Sequence, residues 1–116
     1  MGATVLIVDD QASFRAVARA LLESDGFEVV GEAADGAEAL SAIRALQPDV
    51  VLLDVRLPDQ SGTQVARALR EEPGSTTVVL TSTADYAFAV AECGAAAFIP
   101  KARLSGASLR VAMGTT

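Results

Sequence analysis

The sequence predicts an open α/β sheet of parallel strands with helices packed on both faces. Short runs of β-branched and aliphatic residues alternate with segments in which apolar residues recur at helical spacing. The short runs contain few polar residues, which is typical of parallel strands buried on both faces. Five such strand and helix pairs fill a chain of 116 residues, so we expect a single domain, residues 1–116.

The five predicted strands are short and evenly distributed, over residues 5–8, 29–31, 50–53, 78–80 and 97–99. Parallel strands need right-handed crossover helices, and the economical arrangement is a doubly wound sheet of order 2-1-3-4-5. In such a sheet the ligand crevice lies beyond the carboxyl ends of the strands, where the order reverses. The expected crevice therefore lies between the first and third strands.

The predicted helices are marked by apolar residues three or four positions apart. The first has Ser13 as its N-cap and stops at Gly26, the second ends at Pro48, and the fourth closes at Gly94. A shorter fifth helix covers residues 105–113. The apolar positions of the first four are, in order, Phe14, Val17, Ala18, Leu21 and Leu22; Leu40, Ile43 and Leu46; Val65, Ala66 and Leu69; and Ala87, Val90 and Ala91.

Composition excludes several classes of function. A net charge of -6, with nine basic residues scattered along the chain, argues against direct nucleic-acid binding. The apolar stretches are far shorter than the roughly 18 to 20 residues that cross a bilayer, and the start lacks a basic secretion signal, so we expect a cytoplasmic protein. Cys93 is the only cysteine and the chain has no histidine, which leaves Cys93 as a core residue rather than a zinc ligand.

Acidic residues end two of the predicted strands. Asp9 and Asp10 follow the first strand, and Asp54 follows the third. Lys101, the only lysine, follows the fifth strand. Since carboxyl ends of parallel strands meet at one edge, these four side chains are expected to converge there.

Such convergence is electrostatically costly unless a cation is recruited. With about 5 Å between carboxylates and an effective dielectric near 20, each like-charged pair costs on the order of 3 kcal/mol. Oxygen ligands favour Mg²⁺ or Mn²⁺, and Lys101 would then meet an oxygen of an incoming phosphoryl group. The plainer alternative is that Asp9 or Asp10 caps a loop and Asp54 forms an ion pair with Lys101.

Two other residues are candidates for the same site. Among the consecutive hydroxyls at positions 81–83, we select Ser82 as the donor to a phosphoryl oxygen; its alternative role is the N-cap of the fourth helix. Phe98 lies in the last strand, where simple core packing is the alternative.

The motifs together resemble the receiver domain of a two-component response regulator. The resemblance rests on Asp9-Asp10 after the first strand, Asp54 with Pro58 and Gly62 downstream, and Lys101 after Phe98. It extends over the whole chain and implies a flavodoxin-like (βα)5 fold. The spacing from Asp54 to Pro58 and Gly62 is its most specific part.

The resemblance implies roles for individual residues. Asp54 would be the phosphoacceptor, and Asp9, Asp10, Asp54 and the backbone carbonyl of Arg56 would hold Mg²⁺. Ser82 and Lys101 would meet the phosphoryl group, and Phe98 would turn inward to remodel the surface of the fourth helix and fifth strand. The list of implied site residues is therefore Asp9, Asp10, Asp54, Arg56, Ser82, Phe98 and Lys101.

The resemblance also implies partners. A phosphohistidine on a sensor histidine kinase or phosphotransfer protein would donate the phosphoryl group, and an effector domain or protein would read the result. The domain would be no enzyme beyond its own phosphorylation and dephosphorylation, and would contact neither membrane nor nucleic acid. The resemblance also makes a homodimer possible through the surface of the fourth helix, fifth strand and fifth helix.

Some features depart from the family pattern. Pro100 precedes Lys101, where many receivers have a proline after the lysine, so we expect no cis peptide there. Lys101 comes only nineteen positions after Ser82, which predicts a shortened loop and fourth helix. Arg56 stands near the mouth of the site, either as a solvated side chain or as an influence on phosphoryl hydrolysis.

Two other functions remain open at this point. One is a Mg²⁺-dependent phosphohydrolase with an aspartyl-phosphate intermediate, although such enzymes usually carry Asp-x-Asp after the first strand. The other is a degenerate receiver that acts through constitutive contacts. Turnover of a phosphate ester would favour the first, and failure to take up a phosphoryl group would favour the second.

Overall fold

The computed structural model describes residues 2–114 as one five-stranded parallel sheet flanked by helices. The strands are β1 (Thr4–Val8), β2 (Glu28–Ala33), β3 (Val50–Asp54), β4 (Thr77–Ser82) and β5 (Ala97–Pro100). The sheet order is β2-β1-β3-β4-β5, which confirms the predicted fold and topology. The outermost residues of the expected domain, Met1, Thr115 and Thr116, lie outside the described part.

Five helices connect or follow the strands. They are α1 (Ala12–Ser24), α2 (Gly36–Leu46), α3 (Gly62–Arg70), α4 (Ala89–Cys93) and α5 (Gly106–Met113), with a 3₁₀ turn at Lys101–Arg103. None of the helices within residues 2–114 is long and apolar enough to cross a membrane. The same residues contain no cis peptide, as expected for the loop at Pro100.

The sheet divides the core into two layers because successive side chains of a strand point to opposite faces. One layer packs strand residues such as Leu6 and Leu53 against α2, α3 and α4. The other packs residues such as Ile7 and Leu52 against α1 and α5. The central strands are buried on both sides, so they hold their carboxyl ends in fixed register.

The start of the first helix differs from the prediction. The N-cap is Gln11, not Ser13, and it makes no side-chain capping bond. The Oδ1 atom of Asp9 instead accepts a hydrogen bond from the Gln11 backbone N–H at 2.8 Å. The turn that carries Asp9 therefore leads directly into α1, which begins before Ser13.

The fourth helix also differs, because it contains only five residues. Its buried residues are Ala89 and Cys93. Of the predicted apolar face, Val90 packs half-buried against the core, but Ala87 and Ala91 are exposed, so the prediction was wrong for those two residues. The side chain of Asp85 accepts a hydrogen bond from the backbone N–H of Ala87 at 3.0 Å. Such side-chain bonds compete with a helix, and they delay the start of α4. The shortened helix itself agrees with the prediction.

Candidate functional site

The sheet register brings Asp9 and Asp54 to neighbouring positions. Val8 of β1 pairs with Leu53 of β3, so the next residues of the two strands are these two acids. Asp9 is fully buried and Asp54 is only 4% exposed. Burial of two carboxylates side by side requires compensating partners.

Each carboxylate is held through one oxygen by the backbone that follows it. The N–H of Gln11 donates to Oδ1 of Asp9 at 2.8 Å, and the N–H of Arg56 donates to Oδ1 of Asp54 at 3.1 Å. In both cases the donor lies two residues after the acid. The second oxygen, Oδ2, of each acid is thereby left for other partners.

Lys101 pairs with both of these second oxygens. Its Nζ atom lies 2.6 Å from Oδ2 of Asp9 and 3.3 Å from Oδ2 of Asp54. The lysine is presented by the 3₁₀ turn that follows β5, and its side chain is 13% exposed. One ammonium therefore bridges the ends of β1 and β3.

The site shifts the protonation equilibria of its groups. Burial raises the pKa of the Asp54 carboxyl, and the neighbouring charge of Asp9 raises it further, while the Arg56 N–H and Lys101 oppose the change. Burial also acts to lower the pKa of Lys101, but the hydrogen bonds and charges of Asp9 and Asp54 outweigh it and raise that pKa. Lys101 therefore stays protonated at neutral pH.

The acidic group has the composition of a site for a hard cation. Asp9, Asp10 and Asp54 each offer a carboxylate oxygen, and these oxygens lie within 4.8 Å of one another. Oδ2 of Asp9 is buried and approaches Lys101 without hydrogen-bond geometry. These oxygens fit Mg²⁺ or Mn²⁺, which prefer oxygen ligands and retain waters.

A cavity of about 230 Å³ opens above the acids. Its walls combine anions, cations and hydroxyls, namely Asp10, Gln11, Asp54, Arg56, Ser82, Thr83 and Lys101. This composition suits a phosphoryl group better than an apolar ligand, because charged and hydrogen-bonding groups converge on it. The predicted residues Asp10, Asp54, Arg56, Ser82 and Lys101 thus share one cavity.

The structure offers two hydroxyls near Asp54 rather than one. Ser82 lines the cavity, and its Oγ accepts a hydrogen bond from the Ala84 N–H at 3.2 Å. This contact caps a turn, whereas α4 begins only at Ala89, so Ser82 is not the N-cap of that helix. Thr81 pairs in register with Asp54, and its Oγ1 is buried without a hydrogen-bond partner.

Thr81 is a candidate that the sequence reasoning did not select. An unpaired buried hydroxyl is costly, so it needs a partner that is supplied later or by another state of the protein. The sequence shows three consecutive hydroxyl residues, at positions 81–83. Which of them lies beside Asp54 depends on the register of β4, and the sequence alone does not give that register. The register beside Asp54 favours Thr81 as a second candidate.

Phe98 lies apart from this cavity. It sits on β5, pairs in register with Leu80 of β4, and packs half-buried against the core layer of α2, α3 and α4. It does not line the cavity with Asp54. In this conformation Phe98 has the packing role that was its alternative, and any part in switching requires a movement.

Gly62 explains the strictest part of the motif after Asp54. Its N–H donates to the Val55 carbonyl at 2.7 Å, and a Cβ at this position would collide with the backbone carbonyl of Asp54. The preceding Asp59 accepts hydrogen bonds from the N–H groups of Gly36 and Ala37, at 2.8 and 3.0 Å. The loop after Asp54 is therefore fixed at both the strand and α2.

Comparisons with known proteins agree with this arrangement. The family model described as "Response regulator receiver domain" matches residues 5–110. The DNA-binding response regulator MtrA of Mycolicibacterium paratuberculosis is 43% identical over 83 residues, which cover 70% of this chain and 36% of that protein. The probable transcriptional regulatory protein NarL of Mycobacterium tuberculosis is 46% identical over 101 residues, covering 84% of this chain and 47% of that protein.

Solved structures extend the likeness to the whole described fold. The signal receiver domain of the response regulator NarL from Mycobacterium tuberculosis superposes with a TM-score of 0.85 at 40% identity, covering 97% of this chain and 98% of that one. A CheX-CheY-BeF3-Mg²⁺ complex from Borrelia burgdorferi gives a TM-score of 0.83 at 27% identity, covering 95% of this chain and 85% of that one. The chain spans less than half the length of the two curated relatives.

Proposed function

Because the chain belongs to the response regulator receiver domain family, we propose that it is a phosphorylation switch whose acceptor is Asp54. The observation that carries the proposal is the contact of Lys101 Nζ with Oδ2 of both Asp9 and Asp54. The Lys101 ammonium lies beside the buried carboxylate of Asp54, where it can stabilise the negative charge of an incoming phosphoryl group. The cavity above Asp54 provides the space for that group.

In the proposed reaction a carboxylate oxygen of Asp54 attacks the phosphorus of a phosphohistidine. The P–N bond breaks, its electron pair stays on the imidazole nitrogen, and that nitrogen takes a proton from solvent. Asp54 becomes an acyl phosphate. The proposed donor is a phosphohistidine of a sensor kinase or phosphotransfer protein, and these 116 residues contain no histidine of their own. Catalysis consists of positioning and charge stabilisation, so the domain acts only on itself.

Charge balance supports a divalent cation as cofactor. Three carboxylates and one ammonium leave two formal negative charges at this edge, which Mg²⁺ or Mn²⁺ would neutralise. Asp9, Asp10, Asp54 and the Arg56 carbonyl are the proposed ligands. The bound cation would supply electrostatic stabilisation for the added phosphoryl charge, about -1.5 to -2 at neutral pH. Lys101 would keep its contact with Asp9 and donate to a phosphoryl oxygen.

The switch itself would begin at a hydroxyl of β4. Ser82 is the group already exposed to the cavity, and Thr81 is the group with an unused hydrogen bond. Movement of one of these hydroxyls toward the phosphoryl group would be coupled to a rearrangement of Phe98 and of the surface of α4 and β5. A downstream effector domain or protein would bind that surface, and a homodimer through α4, β5 and α5 is the assembly to test.

The proposal extends to the setting of the domain. We infer that residues 1–116 act as one receiver domain in the cytoplasm, where kinases supply phosphoryl groups. The two curated relatives are named as a DNA-binding response regulator and a transcriptional regulatory protein, which supports an output through an effector. The net charge of -6 argues against direct nucleic-acid contact by this domain itself. Size-exclusion chromatography with and without a phosphoryl mimic would test for the homodimer.

Acetyl phosphate with Mg²⁺ provides the direct test of the acceptor. The wild-type chain should gain the mass of one phosphoryl group, and Asp54→Asn should gain none. Beryllofluoride should shift the side-chain signals of Lys101, which is the only lysine and therefore gives a single spin system in lysine-labelled protein. Uptake by Asp54→Asn would reject Asp54, and no uptake by the wild type would favour a degenerate receiver.

A second test separates the two hydroxyls. Ser82→Ala and Thr81→Val should both accept phosphate, because neither supplies the nucleophile. The variant that lacks the switching hydroxyl should lose the mimic-induced shift around Phe98, and the other should keep it. A full response in Ser82→Ala would remove Ser82 from the switch. Turnover of a generic phosphate ester by the wild type would instead support the phosphohydrolase.

A further inference from the structure

The Lys101 ammonium has a third contact that no part of the family motif includes. Its Nζ lies over the ring of Phe14, 4.5 Å from the ring centroid. Phe14 belongs to the first turn of α1 and packs, half-buried, against the core layer of α1 and α5. The ring is thus held by the core on one side and contacts a cation of the site on the other.

The distance qualifies as a cation–π interaction, since a cation within about 6 Å of a ring centroid is attracted by the negative face of the ring. We propose that Phe14 is a positioning residue for phosphoryl transfer, holding the Lys101 ammonium at the edge where Asp9 and Asp54 meet. The inference rests on the proposed function of Asp54. It adds a residue of α1 whose side chain contacts Lys101 but would neither bind the divalent metal ion nor touch the phosphoryl group.

The chemistry of the ammonium explains why a ring suits this position. An ammonium has three N–H donors, and two of its neighbours here are the Oδ2 atoms of Asp9 and Asp54. A third carboxylate would hold the lysine more strongly but would also neutralise the charge needed by the phosphoryl group. The face of the Phe14 ring attracts the ammonium without adding another negative charge beside it. The positive charge of Lys101 therefore stays available to the phosphoryl group.

Loss of the ring should therefore loosen Lys101 without removing it. Leucine at position 14 keeps an apolar side chain against the core but has no π face. Water would then hydrate the Lys101 ammonium in place of the ring. In a smaller fraction of molecules the ammonium would be positioned to donate a hydrogen bond to the incoming phosphoryl oxygen. Tyrosine keeps the ring and should behave like the wild type.

The first experiment examines the contact itself, before any phosphorylation. Lysine-labelled Phe14→Leu, Phe14→Tyr and wild-type chains are compared by NMR without Mg²⁺. Ring current should place the Lys101 side-chain protons upfield in the wild type and in Phe14→Tyr, and Phe14→Leu should move them downfield. Val17→Ala, an exposed position on the same helix, is the matched control and should leave them unchanged. Identical Lys101 spectra in all four would overturn the proposal.

The second experiment measures initial rates of phosphoryl uptake from acetyl phosphate with saturating Mg²⁺. Phe14→Leu should be slower by about two- to tenfold, the range that a cation–π contact of this kind supports, with Phe14→Tyr and Val17→Ala near the wild-type rate. Thermal unfolding must show that Phe14→Leu is folded at the assay temperature; if it is not, Phe14→Met replaces it. No uptake by the wild type would reject the proposed function, whereas equal rates in wild type and the ring-less variant would reject only the role of Phe14.

Discussion

Two neighbouring regions of the molecule are built in opposite ways. The edge around Asp54 is fixed by backbone N–H groups, by an ammonium that bridges two strands, and by a loop bound to α2. The segment from Thr83 to Cys93 contains a five-residue helix and exposes 66% of Phe88. A cavity of about 390 Å³ lies between that segment and the loop after Asp54.

The difference indicates how the proposed chemistry and the proposed movement would be divided between the two regions. Phosphoryl transfer requires groups held in place, because small displacements of the reacting atoms are costly. A surface that changes on phosphorylation requires an element whose displacement costs little free energy, and such elements have few buried contacts. Residues 83–93 fit that description, whereas the carboxyl edge of β1 and β3 does not.

Gly62→Ala should break the rigid region most severely. A Cβ at position 62 would collide with the Asp54 backbone carbonyl, so either the loop or the end of β3 must move. We expect the free energy of unfolding to fall by about 3 kcal/mol, the upper range for overpacking. Urea denaturation measures the loss, and acetyl phosphate labelling of the folded fraction should show slower uptake. Unchanged uptake would mean that the loop yields without disturbing Asp54.

Gly94→Ala applies a comparable strain at the end of α4. Gly94 has φ +78°, and a Cβ there would meet the side chain of Arg70, which can move aside. The left-handed conformation costs a non-glycine residue about 1–2 kcal/mol, so stability should fall by that amount. Uptake by Asp54 should keep its wild-type rate. A rate as low as that of Gly62→Ala would contradict the separation of the two regions.

Asp54→Asn should raise stability and alter its dependence on pH. Burial, followed by the charge of Asp9, raises the pKa of the Asp54 carboxyl above its usual value. The folded chain therefore binds this proton more tightly than the unfolded chain, and the wild type loses stability as pH rises through the raised pKa. At neutral pH without metal, the variant should be more stable by about 1 kcal/mol, a common size for single substitutions.

The advantage of Asp54→Asn should shrink as the pH falls below the raised pKa, and it should vanish only below the ordinary aspartate pKa, where the carboxyl is neutral in the folded and the unfolded chain alike. Urea unfolding in the presence of a chelator, at several pH values from neutral to acidic, measures this difference. A variant less stable than the wild type at neutral pH would show that the attraction of Lys101 outweighs the burial of the charge.

Phe88→Ala should have the smallest effect. The ring is mostly exposed and makes a tilted contact with Tyr86 at 5.9 Å between centroids. Surface substitutions of this kind change the free energy of unfolding by less than about 0.5 kcal/mol. A loss above about 1 kcal/mol in urea would show that the α4 segment is packed more firmly than its exposure indicates.

The fold and the acidic part of the site were predictable from the sequence for physical reasons. Buried parallel strands have a simple apolar pattern, and their carboxyl ends must share one edge. Asp9, Asp54 and Lys101 lie at such ends, so their convergence followed from the topology alone. The prediction of a cation site with Asp10 came from the cost of gathered charge, and the structure brings the three carboxylates within 4.8 Å of one another.

The remaining features depended on details that a pattern does not contain. The apolar face of α4 was assigned to Ala87, Val90 and Ala91, and only Val90 packs against the core. Asp85 accepts a hydrogen bond from the N–H of Ala87, and the helix begins only at Ala89. The choice between Thr81 and Ser82 depends on the direction of a side chain at the end of β4. Contact of Phe14 with Lys101 depends on how α1 packs, which spacing does not determine.

The only cysteine of the chain, Cys93, is fully buried on the short helix α4. Its thiol is shielded for as long as that helix stays against the sheet, and it meets solvent when the helix departs. The rate at which a thiol reagent labels Cys93 therefore measures how often α4 opens. A comparison of that rate with and without beryllofluoride would show whether the proposed switch changes the opening of α4.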